Sequence, residues 1–180
     1  LLDERGKDLR REYGYIPYDK MRESVAYDME YAIADAALAD AAKYLGHEED
    51  YTYFLKMSKS YHHLFDPVNG FMRGKGSDGE WHTPFDPTAS KHRDDDYCEG
   101  NAWQYTFLVP QDVEGLAGCF GGDEWLTAKL DSLFSISSDL TGADASPDIS
   151  GLIGQYAHGN EPSHHTIYLY SVLGMQSKAA

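Results

Sequence analysis

An all-α fold is predicted by three features of the chain. Val25, Met29, Ile33, Ala37, Ala41 and Leu45 recur every four residues, a spacing that puts apolar side chains on one helix face. Tyr51, Phe54, Leu55, Ser58, Tyr61 and Phe65 form a second apolar series shortly afterwards. No alternation of apolar and polar residues runs longer than a few positions, so strands have little support.

Ser24 can cap the start of the first helix and Gly46 its end, which gives about five to six turns. Glu48, Glu49 and Asp50 suit the start of the second, where negative charge meets the positive end of the helix dipole. The short link makes the pair an antiparallel helical hairpin. Asp66-Pro67-Val68-Asn69-Gly70 reads as a turn. Residues 71–96 then carry glycines, prolines and charges without helical period. Loops of that length are functional or disordered, and Phe71, Trp81 and Phe85 argue for order. Helical signals return at residues 102–109, 112–119, 123–134 and 162–173, with a polar, Gly-rich connection before the last. Successive hairpins of this kind can be units of a helical toroid or solenoid.

A length of 180 residues fits one domain with a real core. Hydrophobic residues at 42% and charged residues at 25% indicate a globular chain. A net charge of −15 disfavours nucleic acid and anionic membrane surfaces, and it is compatible with neutral substrates and divalent cations. Fourteen tyrosines and three tryptophans supply rings for the core and for stacking on sugars. Cys98 and Cys119 are too few for a disulfide framework. No run of 18 apolar residues is present, so no membrane span is predicted. The chain opens on Leu1 in a polar stretch with no signal peptide. It reads as a piece of a longer protein, in which case the missing signal says nothing about export.

The run YCEGNAWQY holds the first chemistry-bearing group. Glu99 precedes Gly100, which lets backbone approach a ligand closely, and Asn101, a good N-cap. Tyr97, Trp103 and Tyr105 would wall the carboxyl, and an apolar wall raises a carboxyl pKa towards that of a general acid. The same placement suits a carboxylate that merely hydrogen-bonds a helix N-terminus. The local sequence leaves both readings open.

The segment GQYAHGNEPSHH places Gln155, His158, Asn160, Glu161, His164 and His165 close together, with Glu161-Pro162 at a loop-to-helix junction. Amide and carboxylate oxygens are hard ligands of the kind calcium prefers. Adjacent histidines do not form the i, i+4 pair of a zinc helix. The plainer reading is a Gly-Asn turn and a capped helix. In the long loop, Trp81 can lie under a sugar ring while Phe85 plugs the core. Asp94-Asp95-Asp96 reads as a solvated charge run or a cation site. Glu30 and Asp35 fall on different helix faces, so they are not paired acids; either can face a pocket between helices or solvent.

Four stretches carry a resemblance: GYIPYDKMRESVAYDMEYAIAD, FDPVNGFMRGKGSDGEWHTPFDP, YCEGNAWQYTFLVPQDVEGL and DISGLIGQYAHGNEPSHHTIYLY, in that order from about Gly14 to Gly174. Together they resemble glycoside hydrolase family 92, the calcium-dependent exo-acting α-mannosidases. The resemblance implies an (α/α)6 toroid with long functional loops and an inverting mechanism with one acid and one base. It implies Glu99 as general acid, and Ca2+ on the 2- and 3-hydroxyls of the sugar. Carried over residue by residue, Gln155, Asn160 and Glu161 would hold the metal, and His158, Glu161 and His164 the substrate, beside Trp81, read above from the loop itself as a sugar contact. The implied substrate is terminal α-linked mannose of oligosaccharides or N-glycans, with α-1,2 the expected linkage. The implied parent protein is secreted, periplasmic or on the cell surface.

The chain departs from the family pattern in three places. The family's general base is an aspartate in an acidic Gly/Asp motif beyond the stretch YLYSVLG, and residues 1–180 contain no such motif. An amino-terminal β-sandwich domain is likewise outside them, so the remainder of the same enzyme is an expected partner. Ala34-Asp35 stands where similar proteins carry paired acids. The alternative is a non-catalytic fragment that binds calcium and mannose without a base. A polysaccharide lyase on a similar toroid is a further rival, which the acidic balance disfavours for polyanionic substrates.

Overall fold

The computed structural model describes residues 5–145 and 147–180. Its helices are α1 (Lys7–Tyr13), α2 (Ser24–Leu45), α3 (Glu48–Met57), α4 (Ala102–Tyr105), α5 (Val113–Phe120), α6 (Asp123–Ser135), α7 (Leu169–Val172) and α8 (Gln176–Ala179). Short strands pair in three two-stranded ladders: β1 (Phe65–Asp66) with β2 (Phe71–Met72), β3 (Ala89–Lys91) with β4 (Thr141–Asp144), and β5 (Leu152–Ile153) with β6 (Tyr156–Ala157). The chain is therefore mostly helical, not purely so. The ladders satisfy backbone groups in loops that have no helix to do it.

The predicted hairpin is α2 and α3, joined at Gly46-His47. Gly46 ends α2 in the left-handed region (φ 76°), with its N–H on the Ala42 and Lys43 carbonyls. The predicted stripe holds only over the first turns of α2. Four residues turn a helix by more than a full revolution, so a strict spacing of four drifts off the buried face. Val25, Met29, Ala32, Ala39 and Ala42 are buried, whereas Ala37, Ala41 and Leu45 are exposed.

The second helix ends sooner than predicted. Ser58 donates its hydroxyl to the Leu55 carbonyl at 2.8 Å, a local bond that competes with continuation. A 3-10 turn, Ser60–His63, follows and sends Tyr61 into the core, where its hydroxyl donates to Asp112 at 2.7 Å. The Asp66 turn forms as predicted: its carboxylate accepts from the Val68 N–H at 2.9 Å and pairs with Arg73 at 2.5 Å. Arg73 also donates to the His82 carbonyl at 2.7 Å, which pins the long loop.

Helix α1 was not predicted, because its anchor is polar. Arg10 is buried and pairs with Asp28; it also donates to Asp35 at 2.7 Å and to the Met57 carbonyl and Ser60 at 3.0 Å each. The predicted helix at 102–109 shrinks to the single turn Ala102–Tyr105, and Pro110 bars helix only at Val109 beyond it. The predicted helix at 162–173 breaks into 3-10 turns at Glu161–Ser163 and Thr166–Tyr168 before α7. Asn160, Ser163, Thr166 and Leu169 are buried at every third position, the repeat of a 3-10 helix. Tyr61, Phe107, Leu116, Leu126, Leu130 and Leu133 centre a single core. Both cysteines are free, and among the described residues no helix is long and apolar enough to cross a membrane.

Candidate active site

The start of α2 holds the segment that carries Glu99. A helix N-terminus leaves backbone N–H groups without intrahelical partners. Here the Val25 and Ala26 N–H groups donate to the Asp96 carbonyl at 3.0 and 3.2 Å, and the Glu23 N–H to the Asp95 carbonyl at 2.8 Å. Ser24 is thus the first helical residue and not the cap.

The acidic run is not uniformly solvated. Only Asp94 is exposed, and it pairs with Arg22 at 2.7 Å. Asp95 accepts from the Lys91 and Tyr97 N–H groups at 2.8 Å each, and burial pushes its carboxyl up to about 6. Asp96 binds His82 Nδ1 at 2.8 Å, and burial raises it as well.

Asn101 caps α4. Its side chain accepts from the Trp103 N–H at 3.0 Å, and Gln104 accepts from the Asn101 N–H at 2.7 Å, a complete capping box. These two amides satisfy the helix start, which leaves the Glu99 carboxyl to a neighbouring cavity. A Cβ on Gly100 would lie 3.0 Å from the Tyr105 ring and 3.2 Å from Gln104 Oε1. The close approach that requires glycine is therefore to the chain's own side chains.

The cavity measures about 420 Å3 and is lined by Ala26, Tyr27, Glu30, Tyr31, Cys98, Glu99 and Tyr105. Burial raises the Glu99 carboxyl above its usual value, the Asp148, Glu161 and Glu30 carboxylates add to the shift, and His92 opposes it. Of the three aromatic walls predicted, only Tyr105 lines this space. Tyr97 turns inward to donate to the Met72 carbonyl at 2.7 Å, and Trp103 packs edge-on against Phe71 at 4.9 Å.

The loop at 155–165 meets Glu99 through Asn160, whose Nδ2 donates to the Glu99 carbonyl at 2.9 Å. Asn160 is 2% exposed, and its Oδ1 is buried without a hydrogen-bond partner. Gln155 is fully buried and occupied: Nε2 donates to the Ser137 and Asp139 carbonyls at 2.8 and 3.0 Å, and Oε1 accepts from Asn101 at 3.0 Å. Glu161, His158 and His164 are exposed, with the two imidazoles 5.7 Å apart. Tyr156, which sequence reasoning missed, holds His158 Nδ1 at 2.9 Å. Trp81 does not line the Glu99 cavity; its ring lies 5.0 Å from Lys75 Nζ and 5.7 Å from the Arg73 guanidinium.

Among the described residues no group of three or more His, Cys, Asp or Glu side chains is placed to hold a metal ion. The donor set nevertheless suits a hard cation at one point. Asn160 Oδ1 is an orphaned buried oxygen, which needs an explanation, and Glu161 follows it with an exposed carboxylate. Gln155 does not share this character, because its oxygen already accepts a bond. Sequence reasoning left Glu30 undecided and passed over Asp148. Ala26 and Glu30, like Tyr27 and Tyr31, are four apart on α2, so this face was readable from the helical repeat.

Residues 2–180 match the model of the glycosyl hydrolase family 92 catalytic domain, and the chain belongs to that family. It is similar to the family GH92 α-mannosidase BT3965 of Bacteroides thetaiotaomicron in complex with mannoimidazole, with 45% identity, a TM-score of 0.86, and coverage of 96% of this chain and 23% of that one. The structure of BT3965 described without that ligand matches at 46% identity and a TM-score of 0.84, covering 96% of this chain and 22% of the other. The family GH92 inverting mannosidase BT2199 of the same organism, strain VPI-5482, matches at 33% identity and a TM-score of 0.76, covering 92% and 23%. The chain thus spans less than a quarter of the length of these structures. No curated protein matches it.

Proposed function

We propose that the chain forms part of the catalytic domain of an inverting exo-α-mannosidase, with Glu99 as general acid. The observation that carries this reading is the half-buried Glu99 carboxyl, raised by burial and by neighbouring carboxylates, opening into a cavity beside the Asn160 loop. A carboxyl whose surroundings favour its protonated form is suited to donate to the glycosidic oxygen as the bond breaks. The reading is supported by family membership and by α-mannosidases at 33–46% identity, one of them described as inverting.

In this reading Asn160 Oδ1 and Glu161 would hold calcium. Bound there, the ion would supply a cationic anchor for neighbouring sugar hydroxyls. His158, Glu161 and His164 reach the sugar from the exposed side of the same loop, and Trp81, which lies outside the Glu99 cavity, would contact a more distant part of the glycan. The carboxylate that activates water, the amino-terminal β-sandwich and the rest of an (α/α)6 toroid would come from the remainder of the same enzyme. The 180-residue chain alone would then be inactive.

The test is Glu99→Gln in the full-length enzyme. Turnover of an unactivated mannobioside, α-1,2-linked in the first instance, falls about 100-fold or more, because general acid catalysis contributes on that scale. An aryl mannoside with a good leaving group, which needs little protonation, loses far less. Equal losses on both substrates would remove Glu99 from the acid role.

A further inference from the structure

We propose that the face of α2 bearing Tyr27, Glu30 and Tyr31 is a sugar-binding wall that receives the leaving-group residue of the glycan beside Glu99. The inference rests on the assignment of Glu99 as the general acid. An acid that protonates the bridging oxygen stands between two sugar rings, and the loop at 155–165 is the candidate holder of one of them. The cavity on α2 is lined by no residue of that loop, so it offers separate space in contact with the same carboxyl. Its volume of about 420 Å3 lies within the range of small-molecule sites, which runs from about 300 to 1,000 Å3.

The lining has the chemistry of sugar recognition. Tyr27, Tyr31 and Tyr105 supply aromatic surface, and Glu30 supplies a carboxylate able to accept from hydroxyls. The two α2 rings stand 6.2 Å apart. Both are held from behind: Tyr31 donates to the Arg5 carbonyl at 2.9 Å, Arg5 donates to the Tyr27 hydroxyl at 3.4 Å, and the Arg10 guanidinium lies 5.4 Å from the Tyr31 ring. A wall fixed before the ligand arrives loses little freedom on binding. Glu30, by contrast, is exposed and takes part in no hydrogen bond or ion pair among the described residues. An exposed carboxylate without a protein partner, set on a restrained aromatic face, is free to accept from the hydroxyls of a polyhydroxylated ligand.

Comparing a mannobiose with α-mannosyl fluoride in the full-length enzyme tests the proposal, because fluoride leaves without a second sugar. In Glu30→Gln the ratio of kcat/KM for mannobiose to that for mannosyl fluoride falls about tenfold or more, the scale of one hydrogen bond to a charged acceptor. Tyr27→Ala lowers the same ratio through lost stacking. An unchanged ratio in both variants overturns the proposal while leaving the mannosidase reading intact. A wild-type enzyme that hydrolyses neither substrate overturns both.

Discussion

Asn160 donates through Nδ2 to the backbone carbonyl of Glu99 at 2.9 Å, so one amide ties the loop at 155–165 to the proposed acid. The other end of that amide, Oδ1, is the orphaned oxygen assigned to the cation. Asn160→Asp keeps an oxygen donor and loses the N–H bond, and Asn160→Ala loses both. In the full-length enzyme, the calcium needed for half-maximal activity after chelation should rise about 10–100-fold in Asn160→Ala, the usual cost of disturbing a metal site. An unchanged calcium requirement in that variant would remove Asn160 from the ligand set.

The Glu99 carboxyl is raised by burial first and by like charges second. Replacing one of those charges, in Glu161→Gln, should lower the Glu99 pKa towards its ordinary value, because a neutral neighbour no longer opposes ionisation. Carbon-13 titration of the Glu99 carboxyl measures this directly. A rise, or no movement, would contradict the electrostatic arrangement.

Gly100 has the Tyr105 ring and Gln104 against it. Gly100→Ala should destabilise by about 1–3 kcal/mol, the scale of overpacking, because the buried Tyr105 ring has to shift to admit the methyl group. Thermal unfolding of the 180-residue chain would show the lower midpoint, and an unaltered midpoint would mean that the α4 cap yields easily.

Asp95 titrates near 6 in the folded chain and near 4 when unfolded, so the folded state binds the proton more tightly. That contribution is fully present below the unfolded value and is lost as pH rises through about 6. The stability of wild type should therefore fall more steeply across this window than that of Asp95→Asn. Parallel slopes from denaturant titrations at several pH values would refute it.

Arg10 pairs with the fully buried Asp28. Arg10→Ala leaves that carboxylate buried without its cation, a change that costs about 3–5 kcal/mol. Arg10→Met with Asp28→Leu removes both charges and should be milder. A single variant no worse than the double would show that the pair contributes little.

Much of the frame was legible in the sequence, and the reasons differ by element. The α2–α3 hairpin, the Asp66 turn and the Asn101 cap depend on neighbours a few residues away, and local signals report such features well. Helix α1 depends on Arg10 reaching Asp28, and the break at 161–168 on a buried repeat of three; neither is visible in an apolar period of four. Glu99 could be singled out from its own run, but its aromatic wall could not. Tyr97 and Trp103 turn inward because Met72 and Phe71, distant in sequence, offer them partners. Gln155 looked like a metal ligand for the same reason it became a brace: a buried amide satisfies whatever polar groups tertiary packing brings to it.

The Asp96 carbonyl that receives the Val25 and Ala26 N–H groups in the first turn of α2 has a practical consequence for protein engineers. Transplanting the EGNAWQY motif alone into another scaffold would leave its approach path unmoored. A working graft has to carry the opening turn of α2 as well, so the smallest portable unit is two segments far apart in the gene.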